Sequence, residues 1–160
     1  MREASGDLWR IPADARCITT NGVVKSNGSR PSTLVMGAGV AAQAATKYPT
    51  LPQIWGAKVL ASGNAVYHAA FETNNLVSFP TKHDYREKSS LPLIQLSCEQ
   101  LMSLIDQMGW RDVVLPRPGC GLGGLHWESQ VKPAIETRLD NRVIVITHAR
   151  RLSPTDVRRM

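Results

Sequence analysis

The chain has 160 residues, of which 42% are hydrophobic and 20% charged, and its formal net charge is +6. That length suits one domain with a full core, and no apolar run approaches the roughly 18 residues a membrane span needs. The first residues lack the apolar stretch of a signal peptide, so no secretory leader is expected there. Cys17, Cys98 and Cys120 form no CxxC pair and the histidines no HExxH pattern, so no metal or cofactor is expected, and the thiols suit a reducing cytoplasm. Part of the positive charge sits in Arg150-Arg151 and Arg158-Arg159, read either as a solvated tail or as an attraction to polyanions such as nucleic acid. The aromatic residues do not interleave with the basic ones as a stacking platform would.

Met1–Ala4 reads as a short strand, broken by the turn Ser5-Gly6-Asp7-Leu8. Ala15–Thr20 is a second, buried strand ending at Asn21-Gly22. The polar segment running to about Thr33, with Asn27-Gly28 and Pro31 as turn signals, is too long for a tight hairpin and reads as a functional loop. Met36-Gly37-Ala38-Gly39-Val40 then opens onto the alanine-rich helix Ala41–Lys47, which Tyr48-Pro49 stops. Thr50 as cap and Pro52 in the first turn predict a second helix to Ser62-Gly63. Ala65–Phe71 and Leu76–Phe79 predict an antiparallel hairpin across Glu72–Asn75, and a charged loop runs from Pro80 to Ser90. Over Leu91–Met108, Leu93, Leu96, Leu101, Leu104, Ile105 and Met108 share a helical face, with Gly109 as the C-terminal cap. Val113-Val114 starts a further strand. After it, Ser129 is the expected cap of a helix through Leu139, with Pro133 in its first turn, and Arg142–Thr147 is the last buried strand. Strands alternate with helices around one inserted hairpin, which predicts an α/β three-layer domain with a mixed sheet and helices on both faces.

The chemistry gathers in Pro116-Arg117-Pro118-Gly119-Cys120-Gly121-Leu122-Gly123-Gly124, with four glycines in six residues. Gly119, Gly121 and Gly124 fit G-x-G-x-x-G, and Asp140 stands where a ribose-binding acid would. The position excludes a Rossmann reading, because that fingerprint belongs to a first βαβ unit and only one helix and one strand follow here. No G-x-x-x-x-G-K-[ST] is present, which removes P-loop chemistry. Gly37-Ala38-Gly39-Val40 is a second glycine turn opening a helix. Two such turns, each aiming N–H groups at an anion, predict a clamp for a diphosphate.

Taken in order, Gly6-Asp7-Leu8, Cys17–Asn21, Met36–Ala41, Phe79-Pro80-Thr81-Lys82 and Pro116–Leu125 resemble the macrodomain family, whose α/β/α module binds ADP-ribose. The resemblance spans Gly6 to about His148, so residues 1–148 are expected to form a macrodomain and 149–160 a basic tail. The most similar branch holds terminal ADP-ribose protein glycohydrolases and antitoxins that take ADP-ribose off DNA. Small phage and bacterial proteins labelled ADP-ribose-1''-phosphate phosphatases are also similar.

The resemblance implies that Asp7 accepts from the adenine amino group with the Leu8 backbone alongside. Thr19 and Asn21 lie near the distal ribose, and Gly37, Ala38, Gly39 and Val40 line one side of the diphosphate. Arg117, Pro118, Gly119, Cys120, Gly121, Leu122, Gly123 and Gly124 line the other side, and His148 ends near the adenine. It makes Lys82 the catalytic residue, attacking the anomeric carbon or touching the distal ribose. His83, Arg86 and Lys88 are nearby cations that would help an amine act as nucleophile.

The chain departs from the protein glycohydrolases at Gly123, where they carry an acidic residue; the DNA-directed antitoxins carry glycine too. Asp84, His83 and His126 are available substitutes, with His126 also read as a cap-region residue and Asp84 as a solvated loop charge. Three readings stay open: an ADP-ribosyl hydrolase acting on nucleic acid or protein, a binding module without catalysis, and a phosphatase with no assignable catalytic group. The expected partners are ADP-ribose or an ADP-ribosylated substrate, with nucleic acid among them, and no membrane.

Overall fold

The computed structural model describes residues 1–147 except 27, 29 and 30; Asn27, His148 and the tail 149–160 lie outside the described residues. Among the described residues, eight strands and four helices follow one another as β1 (Arg2–Ser5), β2 (Ala15–Thr20), β3 (Val24–Lys25), β4 (Thr33–Leu34), α1 (Gly39–Lys47), α2 (Leu51–Ser62), β5 (His68–Phe71), β6 (Asn74–Pro80), α3 (Leu91–Met108), β7 (Val113–Pro116), α4 (Lys132–Ile135) and β8 (Val143–Thr147). Six strands form one sheet in the order β1-β8-β7-β2-β6-β5, parallel throughout except that β5 runs antiparallel to β6. This is the mixed sheet expected from the alternation of elements.

The side-chain period of two divides the core. Cys17, Val77, Phe79, Val113, Leu115, Val143 and Val145 face α3 and α4, while Ile18, Leu76, Val114 and Ile146 face α1 and α2. Nearly all of these are fully buried, which is why the central strands read as continuous apolar runs rather than alternating ones. No helix among the described residues is long and apolar enough to cross a membrane.

Local signals account for most element ends. Ser90 accepts from the Leu93 N–H, Pro92 fills the first turn of α3, and Gly109 closes it in the left-handed conformation at φ 69°. Four expectations change. Leu96 and Met108 are 46% and 44% exposed, because the buried stripe of α3 runs instead through Leu93, Ile94, Ser97, Cys98, Leu101 and Ile105. Thr50 makes no side-chain cap, since its backbone is already helical at φ −86° and ψ −11° and not in the extended form a cap requires. The β5–β6 turn is reduced to Glu72-Thr73, with Glu72 at φ 49°, so Asn74 and Asn75 join the strand.

The fourth change is at the last helix. His126, not Ser129, is the cap; its ring accepts from the Ser129 N–H, and a wide π turn over Trp127–Val131 precedes α4. An ordinary turn would drive the Pro133 ring against the carbonyl four residues earlier, and the wider turn avoids it.

The polar loop after β2 holds a small hairpin, β3–β4, which the sequence reading missed. Asn21 organises it, donating from Nδ2 to the Val35 carbonyl at 2.8 Å and accepting at Oδ1 from the Val23 N–H at 2.8 Å. α2 packs on the hairpin at Gly56, where an added Cβ would lie 2.7 Å from the Ser32 carbonyl oxygen.

Candidate functional site

The C-terminal ends of β2, β6, β7 and β8 lie at one edge of the sheet, and a cleft of about 1090 Å³ opens there. Ligands of open parallel sheets bind at this edge. One wall is Gly37–Ala41, where α1 begins. Ala38 is the extended cap at φ −145° and ψ 157°, so the first turn of α1 presents free N–H groups without a capping side chain.

The facing wall is the loop after β7. It closes on itself, with the Leu125 N–H donating to the Gly119 carbonyl at 2.9 Å and the Gly124 N–H to the Gly121 carbonyl at 3.3 Å. Gly119 and Gly124 sit at φ 77° and 76°, which only glycine adopts without strain. Among the described residues, the N–H groups of Cys120, Gly121, Leu122 and Gly123 have no protein acceptor. All four residues line the cleft. Two sets of unused backbone donors thus face each other, as the paired-turn reading expects.

Arg117 lines the cleft behind this loop. Its guanidinium lies over the Trp127 ring at 4.9 Å, and Trp127 donates to Glu3, which pairs with Lys132 at 2.9 Å. This chain fixes the arginine, while its Nε is buried without an acceptor among the described residues. The Lys132 ammonium holds the Glu3 carboxyl below its ordinary range.

Lys82 lies half-buried in the cleft wall, on a backbone held from three sides. Asn64 Nδ2 donates to the Lys82 carbonyl at 3.0 Å, the Gly22 N–H to the His83 carbonyl at 3.1 Å, and the Thr81 N–H to the Thr20 carbonyl at 3.0 Å. Ser97 Oγ anchors the preceding Pro80 carbonyl at 2.7 Å. Arg86, also in the wall, is held by Asp84 through contacts of 3.0 and 2.6 Å. That guanidinium draws the Asp84 carboxyl down to about 2.

Of the expected site residues, Thr19, Asn21, Gly37, Ala38, Gly39, Val40, Lys82, Arg117, Gly119, Cys120, Gly121, Leu122 and Gly123 all line this one cleft. Asn21 does so with a side chain already engaged by Val35 and Val23. Pro118 is buried behind the loop, and Gly124 lies outside the wall. Asp7 and Leu8 stand beyond one end: the Gly6 N–H donates to the carbonyl of Thr147, a cleft residue, while Asp7 Oδ1 accepts from the Trp9 N–H at 2.9 Å. The Leu8 side chain is fully buried, so only its backbone is available.

The sequence reading missed Lys25, Tyr85, Glu87 and Ser89 as wall residues. Lys25 and Arg86 both lie over the Tyr85 ring, at 5.5 and 5.4 Å. Only the folding of the β3–β4 hairpin against the Pro80–Ser90 loop brings these side chains together. Among the described residues, Lys25, Lys82, Arg86, Lys88 and Arg117 make five cations in the wall, against Glu87 as its one carboxylate. His83 and His126 lie outside it. No cluster of three or more histidines, cysteines or acidic residues suited to a metal occurs among the described residues.

A three-layer α/β/α sandwich with two facing glycine loops at the strand ends defines the macrodomain class. No family model matches the chain. The DNA ADP-ribosyl glycohydrolase of Mycobacterium tuberculosis is 30% identical over 132 residues, which is 78% of this chain and 34% of that protein. The chain thus spans about a third of the length of this curated relative. Among solved structures, the macrodomain of Thermus aquaticus DarG aligns with a TM-score of 0.72 and 26% identity, covering 91% of this chain and 95% of that one. Thermosipho africanus DarTG, solved in complex with ADP-ribose, aligns with a TM-score of 0.76 at 19% identity, covering 97% of this chain and 43% of that one, and supports the fold. The chain has the macrodomain fold and is similar in sequence to the DarG macrodomains.

Proposed function

We propose that this macrodomain binds ADP-ribose along the cleft and hydrolyses the bond joining it to a nucleobase of DNA. The observation that carries the reading is the pair of facing loops, Gly37–Val40 and Gly119–Gly123, whose unused N–H groups suit the two phosphates of a diphosphate. Asp7 and the Leu8 backbone take the adenine end. Thr19 and Asn21 take the distal ribose. The Lys82 amine is the catalytic group at the anomeric carbon.

The name of the Mycobacterium tuberculosis relative supports a glycohydrolase acting on DNA, and the five cations of the wall suit a polyanionic substrate. A reducing cytoplasm is the compartment this reading takes, in line with three cysteines that form no CxxC pair. A second reading, a binding module without catalysis, is favoured by the lack of any side chain at Gly123. The experiment is mass spectrometry of the products from ADP-ribosylated DNA, ADP-ribosylated protein and ADP-ribose-1''-phosphate. Free ADP-ribose released from DNA supports the proposal. Binding without release from any substrate selects the second reading, and loss of phosphate alone selects a phosphatase.

A further inference from the structure

An amine acts as a nucleophile only after losing its proton, and a departing nucleobase nitrogen needs one. The groups that usually move such protons are absent or committed here. Gly123 has no side chain, and a Cβ there would stand 2.6 Å from the Gly119 carbonyl oxygen and inside contact distance of Ser89 Oγ. Asp84 is tied to Arg86 through both carboxylate oxygens, and the His126 ring caps the turn before α4. Both lie outside the cleft wall.

Glu87 remains, the one carboxylate in that wall among the described residues. It belongs to the same loop as Lys82, and the loop is closed on both sides of it. The Glu87 N–H donates to the Asp84 carbonyl at 3.1 Å, and the Ser89 N–H reaches across to the Gly123 carbonyl at 3.0 Å. Among the described residues, the Glu87 side chain makes no hydrogen bond or ion pair.

We infer that Glu87 is the proton carrier for Lys82, an assignment that rests on the hydrolase reading above. The Glu87 carboxylate, beyond ion-pair distance of Lys82, takes a proton from the Lys82 ammonium through one relaying water. The freed amine nitrogen bonds to the anomeric carbon of the distal ribose as the bond from that carbon to the nucleobase nitrogen breaks. The departing nitrogen keeps the electron pair and takes the proton from Glu87. Glu87 then takes a proton from water, whose oxygen bonds to the anomeric carbon while the bond to Lys82 breaks and its electron pair returns to the amine. Glu87 hands its proton to that amine. One water is consumed, and both residues regain their starting states.

The test uses Glu87→Gln and Glu87→Ala, two changes at an exposed side chain on which no packing depends. Glu87→Gln should lower kcat on ADP-ribosylated DNA by about 100-fold or more, with ADP-ribose affinity by calorimetry within a few fold of wild type. Added formate should restore turnover to Glu87→Ala by about tenfold, which a merely structural role would not allow. If wild type turns over and Glu87→Gln stays within about threefold of it, the assignment to Glu87 is overturned while the hydrolase reading stands. If wild type itself releases no ADP-ribose, both fall together.

Discussion

Ser89 and Gly123 occupy each other's space. The Ser89 N–H donates to the Gly123 carbonyl at 3.0 Å, and Ser89 Oγ stands where a side chain on residue 123 would begin. At Gly121, two residues earlier, an added Cβ meets nothing within 4 Å. Neighbouring glycines in one loop therefore answer to different demands, packing at Gly123 and room for a ligand at Gly121.

Substitution should separate the two. Gly123→Ala forces the loop off Ser89 and the Gly119 carbonyl and should cost about 1–3 kcal/mol in urea denaturation. Ser89→Ala should not rescue it fully, because the backbone oxygen remains. Gly121→Glu should leave the thermal midpoint near wild type, yet its carboxylate would enter the phosphate site and weaken ADP-ribose binding severely in calorimetry. Equal stability losses for both variants would contradict this division.

Lys82 and its support should also separate. Lys82→Ala is expected to abolish release of ADP-ribose from DNA while affinity stays within a few fold. Asn64→Ala removes the hydrogen bond to the Lys82 carbonyl, so kcat should fall by about tenfold with the amine still present. An Asn64→Ala enzyme with unchanged kcat would show that the clamp does not position the lysine.

Thiol labelling offers a test without turnover. Burial pushes the Cys17 thiol far up and the Cys98 thiol to about 12, so neither should react in the native protein. Cys120 is half-buried in the cleft wall; burial raises its thiol too, with the nearby Arg117 opposing the shift. It should alkylate slowly, and saturating ADP-ribose should protect it. Equal labelling with and without ADP-ribose would place the ligand elsewhere.

Asp14 ties the starts of β2 and β7 by accepting at Oδ2 from the Arg111 and Asp112 N–H groups, at 2.8 and 3.0 Å, and these bonds lower its carboxyl. The folded value lies below the unfolded one, near 3.9. Its stabilisation is therefore complete above the unfolded value and is lost as pH falls through the folded one. Asp14→Asn should cost about 1 kcal/mol at pH 7 by urea denaturation, after allowance for solvent, with the gap closing below about pH 4. A gap that persists unchanged into acid would assign the effect to packing.

The stop of α3 was legible in the sequence, since Gly109 closes the helix by its own backbone freedom, whereas its start at Ser90 and Pro92 is seen only in the structure. The β3–β4 hairpin was not legible, because its two-residue strands carry little pattern and depend on Asn21 and on the approach of α2 at Gly56. The same holds for the site. Both glycine loops are local signals and could be read directly. Glu87, Tyr85 and Lys25 enter the cleft wall because two distant loops meet, and no spacing in the sequence records that meeting.

The two walls of the cleft are rooted in different cores. Met36 and Ala41 pack with α2 on one face of the sheet, while Cys120 and Leu125 pack with α3 and α4 on the other. The gap between the walls is therefore set by the thickness of the sheet they straddle, not by contacts between the loops. A cavity made under one face should displace one wall and spare the other, so a diphosphate would meet half a clamp. The sheet serves as a fixed gauge for its ligand, much as the body of a caliper holds two jaws at a set opening.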